Sequence, residues 1–186
     1  MVEALPETVL MSAEDYLARE NDGAWRHEFL DGAVFAMVGS SDRHNLVCGE
    51  LYAALLAHLP PRCQPFSTDM KLHVRRGREE RFYYPDVFVS CSATDRDRYT
   101  RAEPVFVAEV LSEATERIDR VEKFHAYTSI PSLEEYALLS QDEPKLELFR
   151  RRSGWEREVF GPDDAVTFES VALSIPLASL YRRVLF

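Results

Sequence analysis

Cysteine is scarce: three in 186 residues, at Cys48, Cys63 and Cys91, widely scattered. They form no zinc spacing and no disulfide framework, so the expectation is free thiols in a reducing cytoplasm. No apolar run approaches the roughly 18 residues that a membrane helix needs. Residues 1–7 are acidic and carry no basic region of the kind that opens a secretory signal, so none is expected there. A surplus of basic charge is also missing. Lys and Arg number 22 against 32 Asp and Glu, a net charge of −10, which counts against broad, non-specific nucleic-acid binding. There is no phosphate-binding loop, no dinucleotide glycine fingerprint, no internal repeat and no low-complexity segment. Nor does any cysteine stand beside a base as a nucleophile would; Cys48 and Cys91 sit in apolar runs and read as structural.

What is present suits a globular protein. Hydrophobic residues make up 46% of the chain, and the length suits one domain over 1–186 with a full core. Ser12, followed by acids at Glu14 and Asp15, caps a first helix that Asn21-Asp22-Gly23 ends. Two short runs, 25–30 and 33–38, are joined by Asp31-Gly32, a hairpin signal. Val47, Leu51, Leu55 and Leu59 then recur every four residues, with His44 and Cys48 on the same stripe. That helix, over 41–59, stops at Pro60-Pro61. Strands are expected over 63–67, 70–74, 81–84 and 86–91, and a polar loop or short helix over 92–103. Residues 105–111 are apolar except for Glu109 and predict a strand buried on both faces. A helix over 116–128, strands over 135–139, 145–150, 155–160 and 166–168, and a helical turn over 176–181 complete the chain. The fold class is α/β, one mixed sheet with helices early and in the middle and a strand-rich last third.

The chemistry centres on residues 84–123. Asp86 follows Pro85 at the head of one apolar strand, and Glu109 ends another. An acid in an apolar strand is costly unless paired or metal-bound, which makes Glu109 the least comfortable residue of the chain without a partner. Two carboxylates on neighbouring strands suit Mg²⁺ or Mn²⁺, with the carbonyl of Val110 as a further oxygen ligand. Such an ion serves phosphodiester cleavage. A lysine two residues after the Glu would share its face, but that residue is Leu111; Lys123 on the following helix is the substitute. Asp119, four residues before Lys123, orients it or the ion's waters; equally, the two make a surface ion pair worth about 0.3–0.5 kcal/mol. His44 reads as a partly buried core histidine or as a contact to substrate phosphate. Glu28 and Asp69 read as a strand acid and a turn residue, and His58, His73 and the arginine runs as solvated face.

The ordered set resembles a known family. Glu28-Phe29-Leu30-Asp31-Gly32, His44 with its helix, Tyr84-Pro85-Asp86-Val87, Glu109-Val110-Leu111-Ser112, the trio Asp119, Lys123 and Tyr127, and Glu135-Tyr136 are together similar to the Uma-two family. Its members are bacterial proteins described as "putative restriction endonucleases", within the PD-(D/E)XK nuclease superfamily. The resemblance covers nearly the whole chain. It implies a restriction-endonuclease-like core with flanking helices, Asp86 and Glu109 as ligands of Mg²⁺ or Mn²⁺, and Lys123 as a displaced catalytic lysine. It makes Glu28, His44 and Asp69 outer members of the site, with DNA as substrate and a homodimer as the working form. Glu113 stands where the family favours proline, and Ala137 where it favours tryptophan. The rival expectation is a catalytically silent nuclease-like module that binds DNA or protein, which the negative charge favours; a hydrolase of RNA or nucleotides is a third.

Overall fold

The computed structural model describes residues 11–22, 26–37, 39–113 and 115–186. The readings made on residues 1–7, Gly23, Trp25 and Val38 lie outside these. In chain order, the elements that position the site are α1 (Ala13–Asp22), β1 (His27–Leu30), β2 (Ala33–Ala36), α2 (Asp42–His58), β3 (Gln64–Ser67), β4 (Lys71–Arg76), β5 (Glu79–Tyr83) and β6 (Val87–Ser90). Then follow β7 (Thr100–Arg101), β8 (Pro104–Leu111), a π-helical segment (Ile118–Lys123), α3 (Phe124–Thr128), β9 (Glu135–Ser140) and β10 (Leu146–Arg150). The chain closes with β11 (Arg157–Phe160), β12 (Ala165–Phe168), β13 (Leu173–Pro176) and a 3₁₀ turn (Leu177–Tyr181).

Local chemistry accounts for the helix starts. The Ser12 hydroxyl accepts from the Asp15 amide at 3.1 Å and donates to the Asp15 carboxylate at 2.7 Å, a reciprocal cap. The Ser41 hydroxyl accepts from the His44 amide at 3.1 Å and so fixes where α2 begins. Between β1 and β2, Asp31 and Gly32 both have positive φ, 49° and 103°. That is the two-residue turn whose twist matches a hairpin, and glycine takes the more demanding position.

Two main sheets result. One has the order β2-β1-β5-β4-β7, the other β11-β10-β9-β8-β6-β3, and β12 with β13 forms a separate hairpin. In the six-stranded sheet β8 and β9 run parallel while the other neighbours are antiparallel, so this sheet is mixed as expected, but the single sheet expected from the sequence is divided into two. Because side chains alternate along a strand, β6 and β8 feed two cores. Val87, Val89, Phe106, Ala108 and Val110 pack with the α2 stripe on one face. Phe88, Val107 and Leu111 pack with Tyr127 and Tyr136 on the other. Each face therefore has its own helix: α2 covers the first, and the π segment with α3 covers the second.

Four further expectations are corrected. Cys63 and Cys91 are bonded to each other rather than free; they flank β3 and β6, whose register sets Gln64 opposite Ser90 and so brings the two cysteines together. The helix expected over 116–128 has a π-helical middle. Strand β13 was not anticipated, because its turn from β12 uses Ala172 in the left-handed region rather than a glycine or asparagine signal. Arg150 and His73 are not solvated face. Arg150 is buried on Glu135 at 3.0 Å, and the His73 ring stacks on Phe82 with centroids 4.4 Å apart.

Candidate active site

Asp86 lies just ahead of β6, and Val87 pairs with Ala108. The register therefore sets Asp86 beside Glu109 on the neighbouring strand. The backbone fixes the pair: the Asp86 amide donates to Glu109 Oε2 at 3.1 Å, and the Val110 amide donates to Asp86 Oδ2 at 2.7 Å. Each acid thus accepts from the main chain next to the other. His44, at the start of α2, brings Nε2 to 3.1 Å from Asp86 Oδ2 from the opposite face of the sheet.

Lys123 comes from the far end of the π segment and is buried. Its Nζ lies 3.1 Å from Glu109 Oε1, 3.3 Å from Glu28 Oε1 and 3.2 Å from Asp119 Oδ1. One turn later Tyr127 donates its hydroxyl to Glu109 Oε1 at 2.9 Å. Glu28 arrives from β1 in the other sheet and accepts weakly from the Tyr84 amide at 3.4 Å. The cluster therefore sits where the two sheets meet, at the Tyr84-Pro85 link between β5 and β6. Asp119 and Lys123 are buried, which removes the surface ion-pair reading.

The electrostatics are lopsided. Four carboxylates, Glu28, Asp86, Glu109 and Asp119, share the cluster with one lysine, which touches all but Asp86. Burial pushes Glu109 well above the ordinary carboxylate range; Lys123 opposes this, but Asp86, Asp119 and Glu28 reinforce it. Burial likewise raises Asp119, against the pull of Lys123. Burial alone would depress Lys123, but the charges of Glu109, Glu28 and Asp119 outweigh it and hold the ammonium well above its usual value. Tyr127 is pushed up by burial and then by Glu109, so it stays a donor.

A divalent cation fits this donor set. The oxygens are hard, the local charge is in deficit of cations, and buried Asp119 Oδ1 has no aligned hydrogen-bond partner although Lys123 is near. Among the described residues no hydrogen bond reaches Asp86 Oδ1, the oxygen left available for a metal.

Of the residues singled out in the sequence, Asp86, Glu109, Lys123, Asp119, His44 and Glu28 converge. Asp69 does not join them: its side chain is 72% exposed and pairs with Arg26 at 3.3 Å. Two contributors were not assigned a role from the sequence. Tyr127 holds Glu109, and the 119, 123, 127 spacing of four was its signal. Arg120 forks onto buried Glu147 of β10 at 2.8 and 3.0 Å, with its Nε on Glu116 at 2.7 Å, and ties the π segment to the sheet. Only an unremarkable Arg marked it in the sequence.

Known proteins are similar to this chain in sequence or in fold. The family model Uma2, described as "Putative restriction endonuclease", matches residues 13–178. Two uncharacterized proteins of Synechocystis sp. are similar in sequence. The protein slr1290 is 30% identical over 181 residues, covering 95% of this chain and 94% of the relative. The protein sll1609 is 33% identical over 138 residues, covering 72% and 77%. A crystal structure of a "putative nuclease belonging to DUF820" from Anabaena variabilis superposes with a TM-score of 0.72 at 20% identity, over 97% of this chain and 100% of that one. The mixed α/β architecture expected from the sequence is the one found, and the chain belongs to the Uma2 family of "putative restriction endonucleases".

Proposed function

We propose that this chain is a Mg²⁺- or Mn²⁺-dependent DNA endonuclease of PD-(D/E)XK type, acting as a single nuclease-like unit over 1–186. The observation that carries this reading is the convergence of three carboxylates on one buried lysine where the two sheets meet, with Asp86 tied to one of them, Glu109, through its backbone amide. Asp86 and Glu109 hold the cation. When bound, that cation neutralises charge on the phosphoryl oxygens and activates a water. Lys123 keeps its proton and presents a fixed positive charge to the attacking water and the developing oxyanion. Asp119 and Glu28 hold Lys123 in place, and Tyr127 holds Glu109. His44, whose Nε2 lies 3.1 Å from Asp86 Oδ2, orients that carboxylate, and a turn of its ring would offer the scissile phosphate a donor. Action as a pair of copies on DNA is carried over from the family resemblance. The cytoplasmic setting is part of this reading, although a bond such as Cys63–Cys91 is uncommon in reducing compartments. Among the described residues no helix is long and apolar enough to cross a membrane.

The test is cleavage of supercoiled plasmid with Mn²⁺ or Mg²⁺, beside calorimetric Mn²⁺ titration. Asp86→Ala and Glu109→Ala are expected to cut turnover by about a hundredfold or more and to weaken Mn²⁺ binding. Lys123→Ala is expected to lower turnover more than metal affinity. Cleavage retained by folded, purified Asp86→Ala or Glu109→Ala overturns the assignment. The silent-module reading is favoured by the net charge of −10 and by Glu109 having both oxygens engaged by protein donors. Mn²⁺ separates the two: a working site raises the melting temperature by mass action, and a silent one leaves it unmoved.

A further inference from the structure

Cys48 lies one helical turn after His44 on the buried stripe of α2, with Sγ 3.5 Å from His44 Nδ1. Across the same imidazole, Nε2 is 3.1 Å from Asp86 Oδ2. One ligand atom from each of His44, Cys48 and Asp86 lies within 4.8 Å of the other two. The remaining cysteines are bonded to each other, so Cys48 is the free thiol among the described residues. The i, i+4 placement of two ligands on one helix face, with a third from a neighbouring strand, is a common way to build a metal site. The donor types matter more. Thiolate, imidazole and carboxylate together select zinc-class ions, whereas Asp86 with Glu109 offers oxygen alone.

The distances suit such an ion. Tetrahedral zinc bonds of about 2.0–2.3 Å hold ligand atoms roughly 3.3–3.7 Å apart, so drawing the groups in by about 1 Å, with a turn of the His44 ring that gives one nitrogen to the ion between Cys48 and Asp86, completes the shell and leaves a fourth position for water. His44 and Cys48 are buried, while the Asp86 side chain is 21% exposed and offers the way in. Without a cation, burial pushes the Cys48 thiol up, and the charges of Asp86 and Glu109 push the same way. On metal binding the thiol proton leaves to solvent and the cation takes its place.

We propose that His44, Cys48 and Asp86 form a site for a thiophilic divalent cation of the zinc class, and that this ion competes for Asp86 with the hard cation of the cleavage site. The binding stands on its own geometry; the competition rests on the nuclease reading. Co²⁺ is the probe, because a thiolate ligand gives it an intense near-ultraviolet charge-transfer band that an oxygen-only site does not. Co²⁺ is titrated into the full chain without reductant, so that Cys63–Cys91 stays bonded. The expected result is a thiolate band in wild type that saturates near about one equivalent and is displaced by Zn²⁺. Cys48→Ser and His44→Ala lose the band, and Glu109→Ala keeps it. Absence of the band in wild type, or its survival in Cys48→Ser, overturns the site; the wild-type spectrum decides even if a variant fails to fold. For the competition, loading with Zn²⁺ is expected to weaken Mn²⁺ binding at least about tenfold in wild type and to leave it unchanged in Cys48→Ser. Equal weakening in both overturns the competition. If metal-free wild type binds no Mn²⁺, the nuclease reading and the competition fall together, while the cobalt band still decides the zinc-class site.

Discussion

At the residue scale the site is a balance of charges rather than a set of independent side chains. Asp119 shows this best. Its carboxyl is raised by burial, so the folded state holds the proton more tightly than the unfolded chain does. The sign follows: stability is full below the ordinary Asp value and is lost as pH rises through the higher folded value. Asn at this position has the same shape and no charge to desolvate. In metal-free protein, where Glu109 and Glu28 still face Lys123, Asp119→Asn is therefore expected to be more stable than wild type at neutral pH. The advantage should vanish near about pH 4 and shrink when Mn²⁺ is added. Thermal melts across that range with a chelator check it; an advantage independent of pH would remove the electrostatic explanation. Much of this site was legible residue by residue, because an acid closing an apolar strand, as Glu109 does, demands a partner. The partner's identity was less legible, since sequence spacing alone allowed Asp119 and Lys123 to face solvent. In the sequence Cys48 reads as core packing, and it does pack in the core. Its neighbour Asp86 arrives from a distant strand that no local pattern reveals.

At the scale of elements, the π segment decides where Lys123 and Asp119 point. It is pinned from two sides. Tyr136 of β9 donates its hydroxyl to the Asp119 carbonyl at 3.0 Å, and Arg120 forks onto Glu147 of β10. Lys123 must span from helix to strand, so a shift of the segment misplaces it relative to Glu109. Arg120→Met keeps the aliphatic stem but leaves Glu147 buried, with Arg157 at 3.6 Å and the charge of Lys145 left to compensate. The expected cost is about 1–3 kcal/mol of stability, with a fall in turnover larger than any change in Mn²⁺ affinity. Chemical denaturation beside plasmid cleavage tests this; a stability loss with unchanged turnover would make the clamp purely structural. Element existence was readable from pattern: the α2 stripe, the Asp31-Gly32 hairpin and the buried run of β8 all appear where expected. The π turn was not. Bonds from β9 and β10 hold that segment, and an α-helical sequence pattern carries no mark of them.

At the scale of the whole molecule, the six-stranded sheet carries Asp86 at one end of β6 and, just beyond its other end, Cys91, joined to Cys63 before edge strand β3. The overall class was readable because the composition and the order of strands and helices point to one mixed α/β arrangement. The bond was not readable: cysteines 28 residues apart give no pairing signal until the register of β3 on β6 is known. That register makes the link a brace on the outermost strand of the sheet that frames the site. Closing a loop of this length is worth about 3.6 kcal/mol through the unfolded state. Purified protein without reductant should therefore show a single titratable thiol, that of Cys48, after denaturation. Reduction, or Cys63→Ser with Cys91→Ser, should lower the unfolding free energy by about that amount. Because the bond lies at the far end of β6 from Asp86, Mn²⁺ affinity measured below the melting transition should change little. Three titratable thiols in denatured, unreduced protein would instead mean that β3 is held on β6 by its ladder alone, and reduction should then leave stability unchanged.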